Sequence, residues 1–250
     1  MEMGVVVLLI TEYKGKTREY VATVSNESFH TDLGIIDMDD LLDKEPGDTV
    51  TSHLNHTFFI RKPRTPDIFK HAKRTGAPMM PRDIGIIIAY TGLNKNDTVL
   101  DTGTGTGVLA MYMGSIAKQV VTYESNDAFF KVARYNIKSL GYDNIELRHG
   151  NLLGEILHMD EKFDVITLDT VDAGRIVPDV VNILHPGGFL VAYSPFFEQT
   201  KEIREAINNA GFMEVSTIEC IERNIAFTDR GTRPASSRVG HTGFITIART

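Results

Sequence analysis

The sequence predicts an α/β protein: a mostly parallel, doubly wound sheet preceded by a small β-rich domain. Three observations carry this reading. After Asn96, apolar runs of strand length alternate with amphipathic segments of helix length, the rhythm that builds a parallel sheet. One strand-to-helix turn, in "TVLDTGTGTGVLA" (98–110), is crowded with glycines, as a tight turn that admits a ligand close to its backbone requires. Residues 1–62, by contrast, read as strands and turns with no long helical period.

Taken in order, "VVVLLITEY", "KGK" and "TREYVATVS" read as strand, turn, strand. "DMDDLLDKEPGDTV" gives a short helix and a turn, with a solvated acidic face, and "TVTSHLNHTFFIRK" a second hairpin. "RKPRTPD" carries two prolines and reads as a linker. Asp67 is placed to cap a short helix through "IFKHAKR", and "GAPMMPRDIGIIIAYTGL" breaks at prolines before a helix of about ten residues. "TVLD" is a strand, and the glycine turn leads into a helix to about Ala117. "QVVTYE" is the next strand, and "NDAFFKVARYNIKSLG" a helix with Asn126 or Asp127 as cap and Gly141 as stop. "NIELRHG", "FDVITLD" and "GGFLVAYS" are further strands with helices between and after them, and "HPGG" is a turn. "GFMEVSTIECIERNIAF" and "GHTGFITIAR" read as two long strands in a hairpin-like relation. The expected division is a β-rich domain over 1–62, a linker with helices over 63–95, and a ligand-binding catalytic domain over 96–250.

Composition bounds the function. The chain has 250 residues and is 42% hydrophobic, enough for a large domain with a small companion. It has no apolar run of about 18 residues, so no membrane span is expected, and "MEMGVVVLLI" does not read as a signal peptide. Cys220 is the one cysteine; it excludes an internal disulfide, fits a reducing cytoplasm and reads as a buried, inert strand residue. His53 and His56 have near metal-ligand spacing, but no acid or cysteine cluster completes a site, so no metal is expected. His241 reads as a local hydrogen-bonding residue, and Asp172 and Asp179 as cap or surface acids. The net charge is −7, yet "RKPRTPDIFKHAKRTG" is +5 (Arg61, Lys62, Arg64, Lys70, Lys73 and Arg74 against Asp67). "ERNIAFTDRGTRPASSR" is +2, with Arg223, Arg230, Arg233 and Arg238 against Glu222 and Asp229, leaving −14 elsewhere. Basic stretches on an acidic body suit a phosphate backbone.

The glycine turn reads Asp-x-Gly-x-Gly-x-Gly, from Asp101 through Gly103, Gly105 and Gly107, with Thr104 and Thr106 between them. Glu124 ends the following strand. Two ligand classes fit. A nicotinamide dinucleotide would rest its pyrophosphate on the helix N-terminus. S-adenosylmethionine instead offers a ribose diol for Glu124 and a charged amino acid tail for the glycine amides and Asp101. An acid before the first glycine sits badly beside a pyrophosphate and well beside an ammonium, and the third glycine departs from the dinucleotide spacing. Both features favour S-adenosylmethionine. Asn151, in "HGNLL" after the third strand, is placed to read adenine.

The flanking segments are specific. "FHTDLGIID" and "SHLNHTFFIRKPRTPD" near the start, "KRTGAPMMPRDIGIII" at the junction and "RPASSRVGHTGFITIAR" at the end closely resemble the TrmI family, methyltransferases that make N1-methyladenosine in the T-loop of tRNA. The resemblance spans essentially the whole chain. It implies a Rossmann-like S-adenosylmethionine-dependent methyltransferase sheet with a small N-terminal β domain, tRNA as partner, and a cytoplasmic homotetramer whose neighbouring subunits help hold the RNA. By the family pattern Gly103 to Gly107 hold the donor, Glu124 its ribose and Asn151 its adenine. Asp169 ends the fourth strand facing donor and base, and Tyr193, in "LVAYSP", ends the fifth. Two segments depart from the pattern. "LDTVDAG" keeps Asp169 but has no prolines where the family has Asp-Leu-Pro-x-Pro, and Met80 stands where an aromatic residue often precedes the Pro-Lys-Asp segment.

The implied chemistry needs little. Adenine N1 already carries a lone pair, so no base is required. A carboxylate at Asp169 would accept from the exocyclic amine and favour the charge forming on the ring. N1 lies on the pairing edge, so the base must be flipped out, and Tyr193 is the candidate flat partner. Asp169 and Tyr193 are thus the candidate catalytic residues. The donor-binding candidates are Asp101, Gly103, Thr104, Gly105, Thr106, Gly107, Glu124, Asn151 and Asp169. The rival readings are a methyltransferase for another substrate and a non-catalytic tRNA-binding subunit; the intact glycine turn counts against the latter.

Overall fold

The computed structural model describes residues 1–236 and 240–250; Arg238, counted among the basic residues above, lies outside the described residues. The chain divides into two compact units. One comprises Met1–Ala72 and Tyr135–Asp143, the other Lys73–Arg134 and Asn144–Thr250.

In the first unit, β1 (Val6–Tyr13) and β2 (Lys16–Thr23) form a hairpin. Its two-residue turn holds Lys14 and Gly15 at φ 50° and 70°, the left-handed pair whose twist matches the flanking strands. β3 (Ser28–Thr31) and β4 (Gly34–Asp37) make a second hairpin. β5 (Thr49–Thr51) and β6 (Thr57–Arg61) complete a four-stranded sheet in the order β2-β1-β6-β5. β6 alternates strictly: Phe58 and Ile60 are buried, Phe59 and Arg61 exposed. With Leu9, Ile36 and Leu41 they form the core of this unit. The short helix expected in "DMDDLLDKE" is a single 3₁₀ turn, Met38–Leu41. His53 sits in the β5–β6 connection, not on a strand face; its Nδ1 accepts the backbone N–H of Ile35 at 2.7 Å.

α1 (Thr65–His71) stays with this unit. Ile68 is buried, and Lys70 and His71 both reach Glu19 on β2, at 2.7 and 2.8 Å. These contacts carry the unit past residue 62, so 63–95 is not one linker: its first part belongs here and the remainder to the second unit. Asp67 acts one turn inside α1, accepting the N–H of Arg64 at 2.7 Å, and is not the N-cap itself.

The second unit begins with α2 (Pro81–Thr91), then β7 (Thr98–Thr102), α3 (Val108–Gly114), β8 (Gln119–Glu124), α4 (Asp127–Ser139) and β9 (Ile145–His149). α5 (Leu152–Glu155), β10 (Phe163–Leu168), α6 (Ala173–Ile183), β11 (Leu184–Ser194), α7 (Phe197–Asn209) and β12 (Met213–Glu219) follow. A detached hairpin, β13 (Ile225–Thr228) with β14 (Gly231–Pro234), precedes β15 (Phe244–Arg249). The tail of α4 counts with the first unit. Seven strands form one sheet in the order β12-β15-β11-β10-β7-β8-β9. The five from β11 to β9 run parallel, whereas β15 runs antiparallel to both its neighbours. Chain order reverses between β7 and β10, the place where open α/β sheets bind ligands beyond their strand ends. Asn126 caps α4, its Oδ1 accepting from Ala128 and Phe129 at 2.9 and 3.2 Å.

Two expectations are corrected. "HPGG" is not a turn between elements but an irregularity inside β11. The pairing slips there from Leu184 to Phe189 while β10 advances only from Phe163 to Val165, and Gly187 takes φ 81°. "GFMEVSTIECIERNIAF" is not one long strand. β12 stops at Glu219, and the buried face does not continue: Ile221 and Phe227 are exposed. Cys220 therefore lies just past the strand and is half-buried. Among the described residues no helix is long and apolar enough to cross a membrane.

Candidate active site

Asp101 is the hub of the sheet beneath the glycine turn. It stands on β7 opposite Thr122 of β8 and Thr167 of β10. The two hydroxyls donate to its two carboxylate oxygens at 2.6 and 2.5 Å. Thr122 spends its single proton on Asp101, so Thr104 of the turn must be the donor in its 2.5 Å bond to Thr122. The acid expected to face the donor's ammonium is thus 1% exposed and committed within the sheet. Burial pushes its carboxyl up to about 6, against the pull of both threonines, with Glu124 adding to the rise.

The turn itself admits no side chain at its first glycine. Gly103 has φ 86°, and a Cβ there would lie 1.8 Å from the carbonyl oxygen of Asp169. Glu124, buried at the end of β8, accepts the N–H of Gly105 through Oε2 and that of Asn126 through Oε1, both at 2.8 Å. Gly107 is the N-cap of α3 at φ 84°.

A pocket opens over this turn. Its wall brings together Gly103, Thr104, Gly105, Thr106 and Asp169 with the 75–79 segment, Leu109 and Phe129. Asp169 follows β10 and is anchored by its N–H to Thr102 O at 2.9 Å. Burial pushes its carboxyl up to about 7, and the charges of Asp101 and Glu124 add to the rise. Of the predicted site residues, Asp101, Gly107, Glu124, Asn151 and Tyr193 stand outside this wall. Asn151 caps α5, accepting from Leu153 at 3.0 Å and donating to Asp172 at 3.3 Å. Tyr193 is half-buried at the end of β11; burial raises its hydroxyl to about 12, and the charges of Asp83 and Asp169 contribute.

Met79 and Phe129 were not anticipated in the site. Phe129 falls within the first turn of α4, just after Glu124, and an aromatic there was the available signal. Met79, not Met80, reaches the pocket, because Met80 serves as N-cap of α2. His241 bonds locally as expected, its ring between Glu219 Oε1 (2.6 Å) and Pro195 O (2.9 Å). Among the described residues no group of three potential metal ligands occurs.

A seven-stranded sheet with this order, a glycine turn at the reversal and three acids beside it defines a methyltransferase of the Rossmann-like kind. The chain matches the family described as tRNA methyltransferase complex GCD14 subunit over residues 64–232. It is 36% identical to the tRNA (adenine(57)-N(1)/adenine(58)-N(1))-methyltransferase TrmI of Methanocaldococcus jannaschii, over 96% of this chain and 94% of that one. The tRNA (adenine(58)-N(1))-methyltransferase TrmI of Thermus thermophilus is 26% identical, over 97% and 96% of the two chains. The chain belongs to the GCD14/TrmI family. Two solved structures share the fold along its whole length. A SAM-dependent O-methyltransferase from Thermotoga maritima gives a TM-score of 0.77 at 24% identity, covering 100% of this chain and 94% of that one. A tRNA (m1A58) methyltransferase TrmI from Aquifex aeolicus gives 0.70 at 21%, covering 100% and 98%.

Proposed function

We propose that this chain transfers a methyl group from S-adenosylmethionine to N1 of a T-loop adenine in tRNA. The observation that carries the reading is its likeness, at 36% identity and nearly full length on both sides, to a tRNA adenine-N1 methyltransferase, together with an intact glycine turn. The residues fit the donor. Gly103, Thr104, Gly105 and Thr106 line the pocket together with Asp169, and Glu124 braces the turn by accepting the N–H of Gly105. Asp101, Glu124 and Asp169 would repel a pyrophosphate and attract a cation.

When bound, S-adenosylmethionine supplies an electrophilic methyl group on a sulfonium. The protein supplies position and field. Gly103 to Gly107, with Thr104 and Thr106, would hold the donor's amino acid end, Glu124 its ribose and Asn151 its adenine. Asp101 touches none of these directly; through Thr122 and Thr104 it fixes the turn that does. Asp169 accepts from the adenine's exocyclic amine and favours the positive charge growing on the ring. Tyr193 receives the flipped base. The exposed Arg61, Lys62 and Arg64 track tRNA phosphates. Four copies acting together in the cytoplasm complete the proposal.

The test is direct: unmodified tRNA is incubated with labelled donor, digested, and the labelled nucleoside identified. N1-methyladenosine is expected. Another labelled nucleoside would move the chain to a different acceptor, a reading that the proline-free segment after Asp169 favours, where Val171 is 88% exposed. Donor binding without label transfer would make it a non-catalytic tRNA-binding subunit.

A further inference from the structure

The sheet of the first unit buries one face and leaves part of the other open. Leu9, Phe58 and Ile60 point into the core of that unit. Residues opposite one another on paired strands share a face. The pairings therefore set Glu19 (β2), Ile10 (β1), Phe59 (β6) and Thr49 (β5) in one row on the other face. The β2 end of this row is taken, because Glu19 holds Lys70 and His71 of α1 at 2.7 and 2.8 Å. The β6 end is open. Phe59 is 42% exposed, whereas Leu8, opposite Arg61 on the same face, is 0% exposed.

The surroundings of this ring select its partner. Arg61 follows two residues later on the same face of β6 and is exposed, as are Lys62 and Arg64 beyond it. The acids of β1 and β2 on this face are engaged. Lys70, with His71, holds the Glu19 carboxyl below its ordinary range, and Glu12 accepts the hydroxyl of Thr17. A protein partner docks through a contiguous apolar patch; here one ring stands beside cations, with half-buried Ile10 as its apolar neighbour in the row. A ring edged by a guanidinium fits a nucleotide, whose base stacks on the aromatic face while its phosphate meets the cation. Strand alternation asks only for an outward residue at position 59, and a polar one would serve the fold as well.

We propose that Phe59 stacks on an unpaired base of tRNA, with Arg61 on an adjoining phosphate. This rests on tRNA being the substrate. The experiment is tRNA binding by filter retention at several salt concentrations. Phe59→Ala is expected to weaken affinity about tenfold, the scale of one base on one aromatic ring. The slope of log affinity against log salt stays the same, because no phosphate contact is lost. Phe59→Tyr stays within about threefold of the parent. Phe59→Leu, which keeps apolar area but has no π-face, falls as far as Phe59→Ala. Donor affinity and thermal midpoint stay at the parent's values. The chain has no tryptophan, so Phe59→Trp puts a lone fluorophore at this position, and added tRNA is expected to quench its emission. Parental affinity in Phe59→Ala, full affinity in Phe59→Leu, or emission that tRNA leaves unchanged each overturns the stack. So does a change of sedimenting mass in Phe59→Ala, which reassigns the ring to a contact between copies of the chain. The two readings fail separately. A parent that does not bind tRNA sinks the substrate, whereas a parent that binds and methylates tRNA beside an equally tight Phe59→Ala sinks only the stack.

Discussion

In the proposed mechanism Asp169 carries most of the chemistry at one residue. Asp169→Asn keeps the shape, removes the charge and presents a donor where an acceptor is needed. Single-turnover methylation is expected to fall by about 10²–10³, the scale for lost preorganised electrostatics, while tRNA affinity by filter binding holds. A rate within about threefold of the parent would take Asp169 out of the chemistry. The same carboxyl links donor binding to pH. Its titration is pushed up to about 7 and that of Asp101 to about 6, both by burial first. A cation entering beside them favours their ionised forms, so binding expels protons and affinity rises as pH climbs through that range. Calorimetry at pH 7 in buffers of different ionisation enthalpy is expected to give different apparent heats. S-adenosylhomocysteine, lacking the sulfonium charge, should show a smaller difference. Equal heats in all buffers would mean that no proton leaves.

Among the elements, the β7–α3 turn has the least room to vary. Gly103→Ala must push against the Asp169 backbone from a left-handed conformation, and is expected to cost about 2–4 kcal/mol and to impair donor binding as well. Gly85, exposed within α2, faces open space, so Gly85→Ala is expected to stabilise by roughly 0.5–1 kcal/mol. Urea unfolding of the two variants checks both signs. This contrast also explains what the sequence reveals. The glycine turn and its following acid are contiguous, so strand, turn, helix and Glu124 are legible together. Asp83 and Thr242 meet across 159 positions, which no local pattern can join. "HPGG" carries every local cue for a turn, and only the pairing of β11 with β10 turns it into a strand irregularity. The apolar run past Glu219 has strand composition, yet Ile221 and Phe227 have nothing to be buried against. Asp101 is a similar case: an acid at the end of a strand has the local pattern of a ligand-facing group, and only the pairing of three strands brings the hydroxyls of Thr122 and Thr167 onto its carboxylate.

At the scale of the molecule, charge is unevenly placed. The whole chain is −7, but Arg61, Lys62 and Arg64 stand exposed at and after the end of β6. tRNA affinity is expected to fall steeply with salt, and neutralising these three together to reduce the slope of log affinity against log salt by about two, leaving donor affinity alone. Equal slopes for variant and parent would place the phosphate contacts on other residues, with Arg223, Arg230 and Arg233 around the β13–β14 hairpin next in line.

The position of β15 has a consequence for how the protein comes into being. This strand lies between β11 and β12, although it follows both in the chain. While a ribosome is still making it, β11 has an open edge and β12 has nothing to pair with. Gly243, whose backbone lies against the Tyr193 ring, arrives with the same later segment. The donor turn, built from β7, β8 and β10, can be whole long before that. A nascent chain is thus able to complete its glycine turn before β15 slots between β11 and β12 and closes the sheet beside Tyr193.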